Sequence, residues 1–449
     1  MKHLFTTLVF IVLSLNGLYA QEQQELPAPK PQKLKFYLDA NKQNSVTFGA
    51  GVQVWGRHAS LNPGSLDKNT GLSAETYTDF AIRRARLSML ANFGGKYFFY
   101  TQYGNTSLAP YNGRTARTFF HDIWAKVKIT KGNELYLGAG QHMFNGLSRL
   151  SNTSYGSILV IDNPGFSFPN VNVNDMFVRQ IGVFAHGKIN RLSYQFAVNK
   201  PIMDASRTLS TQQIIDKGAM GVAQNRKFSN MAYRGYADWS FATNEKVGVT
   251  PFKSTSYFGE KGTFLNIGAG FQLTPNASGI LMEENQVQVH DQLAVAVDLF
   301  FETPTANGGA VSAYAALFQY DYGDNYLWQT IPMGGIASTD PNADFVAQQG
   351  PGINQYTFGS GQVGYAMIGY LLPFKIHQTQ RIMPFGAVQY KDLEALNEAS
   401  LQYDLGAHYL IHKNAVKLSV QYSTRPIYNE GLTVEDHKGM MIAQLQFKI

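Results

Sequence analysis

From residue 46 to its end, this chain repeats one pattern: about ten to thirteen residues of alternating apolar and polar or small side chains, then a turn. The last segment shows it most clearly. Met441, Ala443, Leu445, Phe447 and Ile449 share one face of an extended chain, while Gln444, Gln446 and Lys448 share the other. Val416, Leu418, Val420 and Tyr422 alternate in the same way with Lys417, Ser419 and Gln421. Leu401, Tyr403, Leu405, Ala407, Tyr409 and Ile411 alternate with Gln402, Asp404, Gly406 and His408. Near the front, Ile123, Ala125, Val127 and Ile129 alternate with Asp122, Trp124, Lys126 and Lys128. A chain patterned like this builds sheets with two unlike faces.

Soluble sandwiches alternate too, so segment length decides. Soluble strands average about 5–6 residues, whereas a tilted strand that crosses a bilayer needs about 9–11. Sixteen long segments can be counted, at roughly 46–57, 77–93, 96–104, 118–130, 134–142, 178–188, 190–199, 229–241, 262–274, 289–301, 309–322, 356–372, 381–391, 400–412, 414–424 and 438–449. Their connections alternate between tight turns (93–95, 131–133, 190, 413–414) and long loops (58–76, 143–177, 200–228, 323–355). An even count returns both chain ends to one side, as in bacterial outer-membrane barrels. One connection departs: 242–261 falls on the short-turn side yet is long, so it is either an overlooked hairpin or an elaborated turn. The expected fold is all-β, a sixteen-stranded antiparallel transmembrane β-barrel in the bacterial outer membrane.

Composition fits two solvents. Charged residues are 15% of the chain, against roughly 25% in soluble domains. The chain holds 30 Phe and 25 Tyr, which recur at segment ends where a membrane interface would place them. In hydrocarbon every backbone polar group must be bonded internally, and a closed sheet achieves this with no free edge. The outer face must then be apolar. The inner face is expected to be polar, because a barrel of this size encloses water.

The N-terminus MKHLFTTLVFIVLSLNGLYA has a basic start at Lys2, an apolar run from Leu4 to Leu15 and small residues up to Ala20. It reads as a secretory signal over residues 1–20, too short in its apolar part for the roughly 20 residues of a spanning helix. Residues 21–45 read as a flexible periplasmic segment, and 46–449 as the barrel. With no cysteine, disulfides and thiolate metal sites are excluded. The formal charge of +6 over 449 residues is too diffuse to argue for nucleic acid. No metal and no cofactor is expected, since His121, His142, His186, His290 and His408 lack ligand spacing.

The segment DFAIRRARLSML, residues 79–90, carries the densest cluster of cations. Ala85, Leu87, Met89, Ala91 and Phe93 make an apolar face, which turns Arg84, Arg86, Ser88 and Asn92 toward the lumen. Arg83 falls on the wrong side. It snorkels outward, lies at a protomer contact, or is turned inward by a β-bulge. Loop 143–177 is the other candidate. Loops beyond about 12–15 residues are functional or disordered, and Ile158, Leu159, Val160, Phe166, Phe168, Val171 and Val173 would let this one pack. Residue chemistry alone leaves open whether it folds into the lumen or packs outside. An enzyme reading would need a nucleophile beside a base, for which Ser88 and His121 are the pair to consider. Surface display by the long loops is a further alternative to transport.

The blocks DFAIRRARLSMLANFGGKYFFYTQYG, LYLGAGQHMFNGLSRL, RQIGVFAHG and LSYQFAVNKP, then LNIGAGF and DQLAVAVDLFFETP, resemble in order the phosphate-selective porin O/P family in its Bacteroidetes-type form. The resemblance implies a homotrimer of sixteen-stranded barrels with the third extracellular loop folded inward, and a non-enzymatic channel. It also implies basic side chains that bind phosphate-like anions in the narrow zone, as a planar guanidinium fits an oxyanion. In the matching blocks these are Arg83, Arg84, Arg86, Arg149 and Arg179, and with Lys126, Lys128 and Arg234 they make the expected pore-lining, anion-binding set. The chain departs from the family pattern: 143–177 carries Asp162 and Asp175, no lysine stands between Asn145 and Asn174, and Arg207, Arg226, Lys227 and Arg234 are scattered. The expected function is therefore a water-filled porin for small hydrophilic solutes with an anion preference, its partners small anions such as phosphate and outer-membrane lipid.

Overall fold

The computed structural model describes residues 34–110, 118–171, 175, 178–201, 230–246, 248–281, 287–329, 333, 335–376 and 379–449. The signal segment, Val173, Arg207, Arg226 and Lys227 lie outside these residues. Sixteen long strands follow one another in chain order: β1 Ser45–Ser60, β2 Thr76–Phe93, β3 Tyr97–Leu108, β4 Thr118–Lys128, β5 Tyr136–His142, β6 Gln180–Ile189, β7 Leu192–Lys200, β8 Ala232–Ser240, β9 Phe264–Leu281, β10 Val287–Pro304, β11 Ala310–Asp321, β12 Gly361–Leu371, β13 Arg381–Leu393, β14 Ser400–His412, β15 Val416–Tyr428 and β16 Val434–Lys448. Each pairs antiparallel with the next, and β1 closes on β16 through Gly51↔Lys448 to Ala59↔Met440. The ring has no edge, and every expected segment is present in its expected order.

The two faces separate as the alternation requires. On β10, Leu293, Val295, Val297 and Leu299 are exposed, while Gln292, Asp298 and Glu302 are buried. On β14, Leu401, Tyr403 and Leu405 are exposed, and Gln402 and His408 are buried. Outward aromatic rings stand near the strand ends, with Phe93, Tyr97, Trp239, Phe241 and Phe447 at one rim and Tyr103, Phe120, Tyr390 and Tyr403 toward the other. That is the distribution of an interfacial girdle around a membrane-spanning barrel.

One part of the inner face departs from the polar expectation. On β10 to β13 the buried side carries Phe300, Tyr314, Phe318, Tyr320, Tyr365, Met367 and Phe385. These rings are not solvated. They form one apolar cluster with Leu147, Leu150, Ile158, Leu159, Val160 and Phe166 of the 143–171 segment. Burying rings against a loop removes apolar surface from water as well as burying them in a core does.

At the seam, Leu34–Tyr37 pairs with Ser45–Phe48 of β1, beyond the point where the β1–β16 ladder stops. This short strand fills a hydrogen-bonding edge that would otherwise be open. It lies within the stretch read from sequence as a flexible lead-in.

Candidate functional site

Strand β2 holds the arginine cluster. Its register against β1 runs Gln53↔Arg84 and then Val54↔Ile82, so Arg83 is the extra residue of a β-bulge. Across β3, Ser107 takes a left-handed backbone at φ 60°, and the Arg83 Nη1 donates to its hydroxyl at 2.8 Å. The bulge lets both neighbours reach one carboxylate. Arg83 Nε donates to Asp162 Oδ2 at 2.7 Å, and Arg84 Nη2 donates to Asp162 Oδ1 at 2.6 Å. Arg84 also donates to Gln53 Oε1 at 2.8 Å, and the Arg83 guanidinium lies 5.4 Å from the Trp55 ring centre. Burial pushes the Asp162 carboxyl up, but the two guanidiniums outweigh it and hold it below its ordinary value.

Asp162 belongs to the 143–171 segment, which touches the buried faces of strands on opposite sides of the ring. His408 of β14 bonds the Leu159 carbonyl at 2.6 Å. The Ile161 N–H donates to Gln421 of β15 at 3.0 Å, and the Tyr320 hydroxyl of β11 donates to the Phe166 carbonyl at 2.8 Å. The Arg149 N–H donates to Asp298 of β10 at 2.6 Å. The segment leaves β5 through a notch of missing side chains. Gly146, at φ +61°, lies so close to the wall that a Cβ there would stand 2.5 Å from the Gly235 nitrogen. A Cβ on Gly270 would stand 2.7 Å from the Leu147 carbonyl oxygen.

Arg149 has no exposed surface and joins three parts of the chain. Its Nη2 lies 2.6 Å from Glu245 Oε2 and 3.3 Å from Asp238 Oδ2, and its Nη1 donates to the Ser254 carbonyl at 2.8 Å. Lys253 Nζ lies 2.5 Å from Asp238 Oδ1. Burial pushes the Glu245 carboxyl up, but Arg149 and Lys253 together hold it well below the ordinary range. Glu245, Lys253 and Ser254 come from connection 241–263, the long turn on the short-turn side. Its described residues contain no strand, so it is an elaborated turn and not a hairpin. It bonds along the 143–171 segment: the Lys253 N–H donates to the Asn152 carbonyl at 2.8 Å, the Ser154 N–H to the Lys253 carbonyl at 3.1 Å and the Thr255 N–H to the Ser157 carbonyl at 3.0 Å. Glu302 of β10 accepts from the Tyr257 N–H at 2.7 Å and the Gly259 N–H at 3.1 Å. Sequence reasoning missed this partnership, although the excess length of the turn was visible.

The other expected site residues are dispersed. Arg86 donates to the Asn105 carbonyl and the Thr106 hydroxyl, with no carboxylate partner among the described residues. Lys126 lies among Phe98, Trp124 and Tyr136, with ring centres 5.2, 5.7 and 4.4 Å away, and donates to the Val249 carbonyl at 2.6 Å. Lys128 stands 5.9 Å from the Tyr136 ring, near the short-turn end of β4. Arg179 pairs with Asp122 at 3.0 Å. Buried Arg234 donates to Asn145 Oδ1 at 2.8 Å. Ser88 bonds the Gly49 carbonyl at 3.5 Å and shares no hydrogen bond with His121. Among the described residues, no cluster of His, Asp or Glu could hold a metal ion.

No protein-family model matches the chain, and no curated protein is similar to it in sequence. Solved structures are similar in fold. The outer-membrane channel DcaP of Acinetobacter baumannii is 13% identical, with 92% of this chain and 99% of that one covered at a TM-score of 0.50. OprB of Pseudomonas putida is 12% identical, with 90% and 94% covered at a TM-score of 0.50. The anion-selective porin from Comamonas acidovorans is 11% identical, with 90% and 100% covered at 0.49. The closed ring with its apolar belt is an outer-membrane barrel of the porin fold.

Proposed function

We propose that this chain is a porin: a passive, water-filled channel for small hydrophilic solutes, narrowed by the 143–171 segment lying across its lumen. One observation carries the reading. The segment is tied to β2 through Asp162 and, farther round the ring, to β8 and β10 through Arg149, by ion pairs and buried hydrogen bonds. A loop held at both flanks inside a closed ring sets the width of the passage.

The anion preference belongs to the same proposal. Arg149 and Arg179 are matched by carboxylates, while Arg83 and Arg84 share the single carboxylate of Asp162 and keep one positive charge between them. Arg86, Lys126, Lys391, Lys417 and Arg425 stand on the buried face with no carboxylate partner among the described residues. Among the described residues, Asp298, Glu302 and Asp404 are carboxyl groups there with no cationic side chain bonded to them. The surplus is positive and modest, which supports a mild preference for anions such as phosphate or chloride. The homotrimer is supported by an outward depression of ≈ 830 Å³ across β3 to β7, lined by small and apolar residues including Ala125, Ala139, Ala185 and Val198.

Reversal potentials under a KCl gradient test the preference. Chloride should pass somewhat more readily than potassium. Cation-favouring permeability would remove the anion part of the proposal, and crosslinking that yields only monomers would remove the trimer.

A further inference from the structure

A partly open cavity lies between residues 162–166 and 353–357, at the long-loop end of β1 and β13 to β16. Its volume is ≈ 150 Å³, room for a small polar molecule or on the order of ten waters. Its lining mixes side-chain amides and hydroxyls with charged and apolar residues. Gln389 donates to Gln402, and Gln402 Nε2 donates to Gln355 Oε1 at 2.7 Å. This relay of amides leaves a donor nitrogen on Gln355 and an acceptor oxygen on Gln389 unpartnered among the described residues, one at each end. Asn163 Oδ1 is buried at the same cavity and also has no partner.

Each charged group around the cavity makes at least one bond to the protein. Arg57 is held by Asp79 through two bonds, at 2.8 and 2.6 Å. Lys391 Nζ donates to the Tyr356 carbonyl at 2.6 Å. Arg425 Nε donates to Asn62 Oδ1 at 3.0 Å, and its Nη2 donates to the Ser60 carbonyl. Asp162 is bonded by Arg83 and Arg84, while the Asp404 carboxyl group stands at the wall and accepts from Gln421 at 3.1 Å. Lys391 and Arg425 have no carboxylate bonded to them among the described residues, but Asp404 on the same wall offsets part of their charge, so the cavity is not built for an oxyanion alone. Unpaired amide donors and acceptors with a carboxyl group suit a ligand whose groups both give and take hydrogen bonds. The indole of Trp55 lies in the same wall.

We propose that this cavity is a binding subsite for a neutral polyhydroxylated solute, of the size and chemistry of a monosaccharide, at the loop-side approach to the constriction. It refines the channel reading by naming a solute class, and it rests on that reading only for the solute's route.

The test is a D-glucose titration of the folded, detergent-solubilised full chain, read by intrinsic tryptophan fluorescence, with KCl conductance of the same preparation in planar bilayers. Folding is checked by heat-dependent gel migration. Glucose should give a saturable change, with half-saturation raised roughly tenfold when a hydrogen-bonding amide is lost in Gln402→Leu. Gln389→Leu, at the end of the relay, should act in the same direction and disturbs fewer bonds. A response that is linear and identical in the variants would overturn the subsite. So would saturation by inorganic phosphate with none by glucose, which would make it an anion site. Saturable glucose binding without conductance supports the subsite and retires the porin reading. Conductance without binding does the reverse.

Discussion

Replacing Asp162 with Asn probes the point on which the constriction depends. Asp162 is the single carboxylate between Arg83 and Arg84, and the three side chains are 14%, 8% and 13% exposed. Breaking a buried pair by removing one partner costs about 3–5 kcal/mol, because the remaining charge stays desolvated. In the proposed channel the arginines border a water-filled lumen, and Asn keeps a carbonyl acceptor, so about 2–3 kcal/mol is the expected loss. The variant also gains one positive charge in the passage. An anion about 8 Å away, in a water-like dielectric, is stabilised by about 0.5 kcal/mol, at least about twofold in the chloride-to-potassium permeability ratio. The assay pairs reversal potentials with the temperature of gel-detected unfolding. The variant should unfold earlier and favour chloride more. Wild-type values in both would refute the claim that this junction pins the loop at the narrow zone. The pH dependence has a defined sign. The folded pKa lies below the ordinary 3.8, so the junction's stabilisation is present in full above that value and is lost as pH falls below it.

Three other outcomes follow from the same geometry. Glu245→Gln should release the 241–263 turn from Arg149 at a cost of about 2–4 kcal/mol, seen as faster proteolysis within the turn while the barrel stays folded; unchanged cleavage would count against it. Gly270→Val drives a side chain into the Leu147 carbonyl, so it should lower unfolding stability by about 1–3 kcal/mol and alter single-channel conductance, whereas wild-type conductance would mean the notch does not seat the loop. Arg86→Ala removes a cation with no carboxylate partner among the described residues and should shift permeability toward potassium; Arg179→Ala, which leaves Asp122 unpaired, should shift it in the same direction, and no shift in either would deny these strands a place at the pore.

The strands were legible because lipid and water impose opposite demands on the two faces of each one. Met441 to Ile449 shows both demands within a few residues. The bulge was half legible. Alternation left Arg83 on the wrong side, and the family resemblance favoured a turn inward, but the register shift itself depends on β1 and Ser107. Charge neutralisation was not legible. Nothing in the spacing of Arg84 and Asp162 says that they meet across 78 residues. The aromatic inner wall left a trace, since Leu317–Phe318 and Leu299–Phe300 are apolar on both faces, the mark of a strand covered on both sides. The 241–263 turn was visible only as excess length. Its residues have no period because they pair with a loop and with single wall residues such as Glu302.

The central claim is that an ion-conducting passage runs past the 143–171 segment. Single-channel recording of the folded full chain in a planar bilayer tests it most directly. The account predicts stable, ohmic current steps whose size changes in Asp162→Asn and Gly270→Val. A folded protein that carries no current, or steps that ignore both substitutions, would contradict it.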